Sequence, residues 1–536
     1  MSKLTKLLAL AMAALMLLGM ASFASAEGTP VLTIFIEECA TVEDFETNLC
    51  TLWFEEQLGC DLQFIVAPTG SASEKMNVLL NDKNYPDIFY KTVPEENLYG
   101  IETGIMMDLR DLITPELMPN LYQLMQEHSE IAPAITSSNG AIYYFPAYGG
   151  TALHSQYPAK MFYNTANLEK LGLDVPETLD DLYEAMVAWK ELDENNIPMV
   201  GCNDLTTGDP TYYFTNAFTY QGSGDSGYKM GFRVHENTIE TMFDDEEYRE
   251  ALAFMNKLFS EGLIDESIWT SSTEQAKALL AQEGEPVLFW ATTHNAKFVV
   301  AGDTPELYAH TRTLDPIKGD DGTQYTTYVP DTPKGQIAIA STCAYPEIAA
   351  KFVDLHYSTD GVGVLNFGPQ SEGHWRYSTD EEKQQCIDAG ATICYIIRLD
   401  AFDSGIQNFK WQPQIMNSSG INTGWSMPVD YSSLDFNVAA QGSNYRLYST
   451  TVQYVPYYQT DFETVPSLSF TADEKDQKAS LTVAIENYLA SAKMDFITGV
   501  KDINDDATWD AYVKGMYDMG IETILEIYQN AYDRAN

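Results

Sequence analysis

Residues 31–67, VLTIFIEECATVEDFETNLCTLWFEEQLGCDLQFIVA, predict the first unit of the fold. Val31–Ile36 is rich in β-branched and aromatic residues, as strands are, and Asp61–Ala67 repeats that pattern. Between them, Asn48–Leu58 carries apolar residues at helical spacing and is followed by a glycine stop. A shorter helix and a third strand, which ends at Tyr90, come next. This β-α-β-α-β order is typical of a parallel sheet with helices on its faces.

The alternation of strands and helices continues beyond this unit. Further strands are predicted at Ala141–Phe145, Met161–Tyr163, Glu285–Thr292 and Gly335–Ala340, and further helices after Thr178, at Asp244–Glu261 and from Pro346 to Tyr357. The C-terminal segment predicts helices only, which begin near Asp473, Asp505 and Ile521. We therefore predict an α/β protein with two α/β regions, several chain crossings between them and a helical C-terminal extension.

The charge balance excludes some partners. The 536 residues include 30 Lys and Arg against 78 Asp and Glu, a formal charge of −48. A nucleic-acid partner needs clustered basic residues, and an anionic membrane surface attracts them as well, so we expect neither partner. A chain that is 45% hydrophobic and 12% aromatic can bury a large core, and its length predicts two or three domains.

The N-terminus has the pattern of a secretory signal peptide, residues 1–26. Two lysines precede an uncharged apolar run, and Ala24-Ser25-Ala26 offers a cleavage site before Glu27. A membrane anchor is the alternative, but the run is at the short limit for a span. Met20 stands where a bacterial lipoprotein would carry its lipidated cysteine. We therefore expect an extracellular or cell-surface protein without a lipid anchor.

Catalytic and metal-binding motifs give no support for an enzyme. The sequence contains no Gly-Lys dipeptide for a phosphate loop, no H-E-x-x-H and no C-x-x-C. Gly224-Asp-Ser-Gly227 matches part of a serine-protease motif without its context, so a flexible loop is the better interpretation. Asp502-x-Asn504-x-Asp506 has calcium-loop spacing but lacks the glycine and the bidentate glutamate. We expect no cofactor and no metal. Of seven cysteines, Cys386 and Cys394 could pair.

Several segments, in order along the chain, resemble motifs of one family. They are YPDIFY (85–90), GIMMDLRDLI (104–113), AIYYFP (141–146), FYN (162–164), LEKLGL (168–173), PETLDDL (176–182), YREALAFMNKLFSEGLID (248–265), CAYPE (343–347), and, near the C-terminus, FITG (496–499), WDAY (509–512) and IYQNAYD (527–533). The chain resembles the extracellular solute-binding proteins of ABC importers, in family 1, which binds sugars and oligosaccharides, and among them the long lipoprotein-type members. Such members often carry a calcium-binding loop, which is reduced here to Asp193–Asn196.

The resemblance implies a periplasmic-binding-protein-like fold of type II. Two α/β lobes, joined by a hinge, would hold a ligand between them and close around it before docking on a permease. We place lobe 1 at residues 27–147 and 325–360, and lobe 2 at residues 148–324 and 361–536 with the C-terminal helices. The implied function is capture of a sugar or oligosaccharide, without catalysis, by a protein that we expect to be a monomer.

Candidate ligand-binding residues follow from the chemistry of sugars. Aromatic faces suit the flat C–H faces of a sugar, and polar side chains suit its hydroxyls. The candidates lie at predicted strand ends and in turn-rich segments, and they are Tyr90, Tyr148, Asp209, Trp290, Trp375, Trp411 and Trp425. A packing role, or a solvated loop for Asp209, is the alternative for each.

Two other functions stay open at this point. A secreted carbohydrate-active enzyme would need a convergent pair of carboxylates, which 78 acidic residues can mimic by chance. The same fold could also bind a peptide or another small solute.

Overall fold

The computed structural model describes residues 28–148, 156–299, 303–330, 333–388, 395–399, 405–411, 450–451, 453–458 and 461–535. Its strands, numbered in chain order, are β1 (Val31–Glu37), β2 (Asp61–Ala67), β3 (Ile88–Tyr90), β4 (Phe145–Ala147), β5 (Lys160–Asn164), β6 (Ile197–Val200), β7 (Phe232–His235), β8 (Thr238–Thr241), β9 (Val287–Thr292), β10 (Thr311–Leu314), β11 (Lys334–Ile339), β12 (Trp375–Tyr377), β13 (Ile396–Arg398) and β14 (Phe462–Glu463).

The α-helices are α1 (Leu49–Leu58), α2 (Ala72–Asn81), α3 (Pro119–Glu127), α4 (Ile131–Ile135), α5 (Thr165–Leu171), α6 (Leu179–Leu192), α7 (Thr211–Thr215), α8 (Gly224–Met230), α9 (Glu246–Ser260), α10 (Thr273–Leu280), α11 (Pro305–His310), α12 (Pro346–Leu355), α13 (Thr359–Phe367), α14 (Asp380–Asp388), α15 (Ala472–Ile497), α16 (Asp506–Asp518) and α17 (Ile521–Ala535). A π-helix spans Asn97–Glu102, and short 3-10 helices span Thr206–Gly208, Asn295–Lys297, Gln370–Glu372 and Val455–Tyr457.

The first sheet has the strand order β2-β1-β3-β11-β4. Strand β1 pairs in parallel with β2 and β3, as the opening stretch of sequence predicts. Strand β11, from much later in the chain, lies antiparallel between β3 and β4. The α/β class is therefore confirmed, and the chain must return to its first sheet after building another region.

The second region is built on the sheet β10-β5-β9-β6, with a small three-stranded sheet β14-β7-β8 beside it. Strand β9 is parallel to β6 and antiparallel to β5. All six residues of β9 are buried, as expected for a central strand covered on both faces. Helix α6 begins with the predicted capping box at Thr178, whose hydroxyl accepts a hydrogen bond from the Asp181 amide.

Two local predictions from the sequence differ from the structure. The strand predicted at 141–145 is shorter and later, because Ile142 makes only an isolated bridge to Thr136 and regular pairing begins at Phe145. The segment 224–227, expected to be a loop, opens helix α8, whose end at Gly231 adopts the left-handed conformation that suits glycine.

The hydrophobic side chains form one set of clusters around each large sheet. The clusters around the first sheet draw on residues 32–148 and 337–411, and those around the second on residues 157–317 and 454–532. The chain therefore passes between the two regions three times, through segments that include 149–155, 331–332 and 412–449, which lie outside the described residues.

The packing differs from the lobe boundaries placed on the sequence. The boundaries predicted from the sequence place helix α13 and Trp411 in lobe 2, but their side chains pack in the core of the first sheet. Asn408 explains the attachment, because its side chain accepts hydrogen bonds from Asp44 and Asn48 and holds this late segment against α1. Tyr328, assigned to lobe 1, packs instead with the second region.

Five cysteines of the described residues are buried and free: Cys39, Cys50, Cys60, Cys202 and Cys343. The pairing suggested for Cys386 and Cys394 involves side chains outside the described residues.

Within the described ranges, every helix is too short or too polar to cross a membrane.

A buried ion pair attaches the C-terminal helices to the second region. The Lys493 ammonium, on α15, donates to an Asp209 carboxylate oxygen at 2.6 Å, and both side chains are largely buried. Burial alone would raise the pKa of Asp209, but the Lys493 charge and the hydrogen bonds from Thr211 hold it below its usual value. Asp209 therefore carries its negative charge inside the protein, where Lys493 balances it.

We predict that Lys493→Met lowers the free energy of unfolding by about 3–5 kcal/mol, because it leaves the Asp209 carboxylate buried without a counter-charge. Urea unfolding measures the loss. The double variant Asp209→Asn/Lys493→Met should recover part of it. Lys514→Met is the matched control, since it removes an exposed pair with Asp518 and should cost less than about 1 kcal/mol. Equal losses in the two single variants would contradict the prediction.

We also predict a step in stability with pH from His356, which is fully buried between α1 and β3. Its ring nitrogens contact the Phe352 carbonyl oxygen at 2.9 Å and the Tyr90 hydroxyl at 3.2 Å. Burial lowers the pKa of His356 to about 4. Because the unfolded chain takes up this proton first, near pH 6.5, the free energy of unfolding should fall by about 3 kcal/mol between about pH 6.5 and pH 4.

The variant His356→Gln should lose that step, whereas His310→Gln, which removes a half-buried imidazole paired with Glu285, should keep it. Thermal unfolding measured from pH 7.5 to pH 4 in the three proteins isolates the effect of His356. Parallel pH profiles for the wild type and His356→Gln would show that His356 is not the cause.

Candidate ligand site at one edge of the second sheet

The ends of three strands meet at one edge of the second sheet. Because β6 and β9 are parallel, their carboxyl ends lie on the same side, and the start of the antiparallel β5 lies there as well. The loops that follow β6 and β9 touch each other through the hydroxyls of Thr207 and Thr293, 2.5 Å apart. Strand ends in an open α/β sheet are where such proteins bind ligands, so this edge is the first place to search.

Three buried side chains at this edge carry polar atoms without a hydrogen-bond partner. They are the indole nitrogen of Trp290, the hydroxyl of Thr292, and both the amide nitrogen and the carbonyl oxygen of Asn295. Trp290 and Thr292 are fully buried, and Asn295 is 6% exposed. Leaving such atoms unpaired costs about 1–3 kcal/mol for each group, so a concentration of them within six residues calls for an explanation. Because these atoms are enclosed here, a polar ligand could supply the missing partners only in a more open form of the protein.

Lys160 is a buried cation at the same edge. It faces Thr292 across the β5–β9 pairing, and its ammonium group donates to the main-chain carbonyls of Tyr157 and Thr293. Burial lowers the pKa of Lys160 to about 7. The side chain thereby joins the start of β5 to the loop after β9.

A row of three tyrosines begins beside Lys160. The ring centroids of Tyr157 and Tyr328 are 5.3 Å apart, and those of Tyr328 and Tyr458 are 4.2 Å apart. Tyr328 and Tyr458 are only half-buried, so parts of their surfaces reach solvent. The amide of Val329, next in sequence, donates to the Gln156 carbonyl and fixes this row against β5. The row is joined to this edge through Lys160, while its rings pack in a different cluster from Trp290.

Among the candidates from the sequence, Trp290 lies at this edge and has a polar atom without a hydrogen-bond partner. Its ring stacks on Phe162, with centroids 6.3 Å apart and planes at 13°, and is enclosed by apolar side chains. The ring face, on which the sequence-based prediction relies, is therefore covered, and the indole N–H is the polar atom left without a partner.

Asp209 lies at the same edge, after β6, but its oxygens are already engaged. They accept hydrogen bonds from the Lys493 ammonium, from the Thr211 amide and hydroxyl, and from the Trp269 indole at 3.2 Å. In this arrangement the carboxylate anchors α15 and has little capacity left for sugar hydroxyls.

Tyr90 and Trp411 come together, but inside the core of the first region. Their ring centroids are 5.8 Å apart in an edge-to-face arrangement, and both side chains are fully buried. The Tyr90 hydroxyl lies 3.2 Å from His356, and the Trp411 indole donates to Thr51 at 3.0 Å. Both aromatic residues contribute to packing in this structure.

Tyr148 lies just after β4, at the last described position before the first crossing. Its side chain is 8% exposed. Its hydroxyl donates to Glu130 and lies 3.0 Å from the His128 Nδ1 atom. This hydrogen bond holds the pKa of Glu130 below its usual value. The position at a crossing agrees with the prediction, but the hydroxyl is occupied within the first region.

Trp375 starts β12 and is almost fully buried. Its indole donates to the Gly368 carbonyl at 2.8 Å, and its ring lies so close to Gly363 that a side chain there would collide with it. Trp375 therefore packs against α13. Trp425 lies outside the described residues.

Sequence reasoning missed Thr292, Asn295, Lys160 and the tyrosine row. A signal was present, since the buried run of β9 changes abruptly into Thr-Thr-His-Asn at positions 292–295. The tyrosines carried no local signal, because Tyr157, Tyr328 and Tyr458 come from three distant parts of the chain.

The described residues do not contain three or more His, Cys, Asp or Glu side chains grouped to hold a metal ion. In the loop at 193–196, the Asp193 carboxylate accepts hydrogen bonds from the main chain and side chain of Asn195. In the segment 502–506, Asp502 accepts from the Asn504 amide and Asp506 pairs with Arg249 at 2.9 Å. In both acidic loops, carboxylate oxygens are thus engaged by groups of the protein itself.

Comparisons with known proteins agree with this geometry. Residues 35–362, more than half of the chain, match the family model described as bacterial extracellular solute-binding protein. The chain is 22% identical, over 488 residues, to the fructooligosaccharide ABC transporter substrate-binding protein FusA of Streptococcus pneumoniae, an alignment that covers 86% of this chain and 82% of the relative. It is 26% identical over 242 residues to the lipoprotein LipO of Bacillus subtilis, covering 42% of this chain and 44% of LipO.

Solved structures show the same fold. An HMO-binding, ABC-transporter-associated solute-binding protein from Bifidobacterium longum infantis superposes with a TM-score of 0.72 at 17% identity, covering 95% of this chain and 99% of that one. FusA in complex with fructo-nystose superposes with a TM-score of 0.67 at 20% identity, covering 94% and 99%. The periplasmic-binding-protein-like fold implied by the sequence motifs is thereby confirmed.

The family match also decides between a binding protein and an enzyme, the two kinds of protein that the sequence left open. Its description and the name of FusA are those of binding proteins, so the interpretation as a non-enzymatic binding protein is confirmed and the enzyme alternative has no support. Its members are extracellular, which places this protein outside the cell or at its surface. The chain belongs to the family of bacterial extracellular solute-binding proteins.

Proposed function

We propose that this protein is the substrate-binding component of an ABC transporter and that it captures an oligosaccharide. The observation that carries the proposal is the set of unpartnered polar atoms at Trp290, Thr292 and Asn295, at an edge that Lys160 joins to a row of tyrosines. Sugar hydroxyls both donate and accept hydrogen bonds, and sugar C–H faces pack on aromatic rings. FusA, which is named for fructooligosaccharides, supports the same class of solute.

We place the ligand between the two lobes, with the second-sheet edge as one wall. The packing clusters support a first lobe of residues 28–148 and 333–411 and a second lobe of residues 156–330 and 450–535. The tyrosine row lies where these lobes connect, since Tyr157 follows the first crossing and Tyr328 precedes the second. Closure of the lobes would cover the ligand, and the closed form would be recognised by the permease.

The remaining partner and location proposals come from the sequence. We propose export with cleavage after Ala26, no lipid on the mature chain because Met20 replaces the lipidated cysteine, and a monomer that docks on permease subunits. The alternative within the binding class is a peptide or another small solute on the same fold.

We predict that neutral oligosaccharides raise the thermal midpoint of the protein without being consumed. Stabilisation follows because a ligand that binds only the folded state adds about 2.7 kcal/mol at a concentration 100 times its dissociation constant. Differential scanning fluorimetry with a panel of oligosaccharides and peptides, followed by chromatography of the incubated sugars, tests both parts. A shift with peptides alone, or breakdown of the sugar, would refute the proposal.

A second prediction concerns Thr292→Val, which replaces an unpartnered buried hydroxyl by a methyl group of the same shape. The unliganded protein should be as stable as the wild type or more stable, by up to about 1 kcal/mol, while affinity for the bound oligosaccharide should fall about tenfold. The matched control is Thr311→Val, because the Thr311 hydroxyl is also buried but donates to the Leu307 carbonyl at 2.7 Å.

Thr311→Val should therefore lower stability and leave affinity unchanged. Urea unfolding without ligand and isothermal titration calorimetry with ligand separate the two quantities. If Thr292→Val weakens the unliganded protein and leaves affinity intact, Thr292 has a structural role and does not contact the ligand.

A further inference from the structure

Asn295 has an unusual environment among the buried amides of the described residues. Both polar atoms of its side chain lack partners, although the side chain is only 6% exposed. The buried amides of Asn164, Asn167 and Asn216, by contrast, all make hydrogen bonds. A buried amide whose donor and acceptor both lack partners is costly. We therefore expect a specific partner for both atoms.

The main chain around Asn295 fixes where this amide lies. The Asn295 carbonyl accepts hydrogen bonds from the amides of Phe298 and Val299, both at 2.9 Å, and the amide of Lys297 donates to His294. Phe298 and Val299 are themselves buried in the cluster that encloses Trp290. Asn295 is therefore held by a short, anchored turn directly after β9, which fixes the position of its main chain.

The charged groups at this edge are already committed. Lys493 balances the Asp209 carboxylate, and the Lys160 ammonium donates to two main-chain carbonyls. A charged solute needs an opposite charge to replace its lost hydration. The atoms without partners at this edge, in contrast, are neutral donors and acceptors: an indole N–H, a hydroxyl and an amide.

We infer that Asn295 is a specificity-determining residue for a neutral sugar unit and binds two adjacent hydroxyls of that unit. The amide oxygen accepts from one hydroxyl, and the amide nitrogen donates to the next, while Trp290 and Thr292 contact further oxygens of the same unit. This inference rests on the proposed function and deepens it by naming a neutral, diol-bearing sugar as the group bound at this edge.

The test compares wild type, Asn295→Ala and Asn295→Asp by isothermal titration calorimetry. The probes are kestose, maltotriose and cellotriose as neutral sugars and trigalacturonate as an acidic one. We expect the wild type to bind a neutral member and to prefer it to trigalacturonate. Asn295→Ala should weaken that binding about 10- to 100-fold, and Asn295→Asp, which replaces the donor by a negative charge, at least as much.

The melting temperature of each unliganded variant serves as the folding control. Asn295→Ala should keep it, because no hydrogen bond of the side chain is lost. Asn256→Ala is the matched control, since its amide donates to the carbonyls of Phe496 and Ile497, both at 3.1 Å; it should melt earlier and keep its affinity.

The outcomes separate this inference from the proposed function. If the wild type binds a neutral sugar and Asn295→Ala binds it equally well, the inference is wrong and the proposed function stands. Stronger binding of trigalacturonate than of every neutral sugar also overturns the inference alone. If no oligosaccharide binds the wild type, the proposed function fails and the inference fails with it.

Discussion

The structure depends on one constraint: a polar group that leaves water must find a partner inside the protein. The buried aromatic side chains of the first lobe meet it, since Tyr90 pairs with His356, and Trp411 with Thr51. The buried charge of Asp209 meets it through Lys493. Each unmet group costs about 1–3 kcal/mol, a substantial part of the net stability of a domain. The unmet atoms at Trp290, Thr292 and Asn295 are informative because they are concentrated within six residues, whereas the other unmet atoms are scattered.

The same constraint explains why sequence analysis predicted the fold better than the site. The strands around Val31 and Asp61 follow from local composition and spacing, and structure confirms both. Whether an aromatic residue at a strand end faces a ligand or the core depends on its neighbours from elsewhere in the chain. Tyr90 ends a strand as predicted, yet Trp411 and His356 enclose it from segments more than 260 residues away.

The lobe boundaries show the same limit. Asn408 joins a late segment to the first helix through hydrogen bonds with Asp44 and Asn48, and no periodicity in the sequence indicates such a contact. Position 295 could in principle be found from the sequence, because a buried strand that turns abruptly polar is a local pattern. Its meaning still required the structure, since only the structure shows that the Asn295 amide is enclosed and without a partner.

The net charge of −48 bears on the kind of solute proposed for this edge. A highly acidic chain repels further negative charge, so an acidic ligand would have to approach against the field of the whole protein. At the second-sheet edge the buried carboxylate of Asp209 is balanced by Lys493, which removes its charge from the local field. Neutral hydrogen-bonding groups keep their strength in such a protein at any ionic strength, whereas charge-based recognition would weaken with salt. An acidic exterior thus favours solubility and is compatible with the neutral sugar that we propose for this edge.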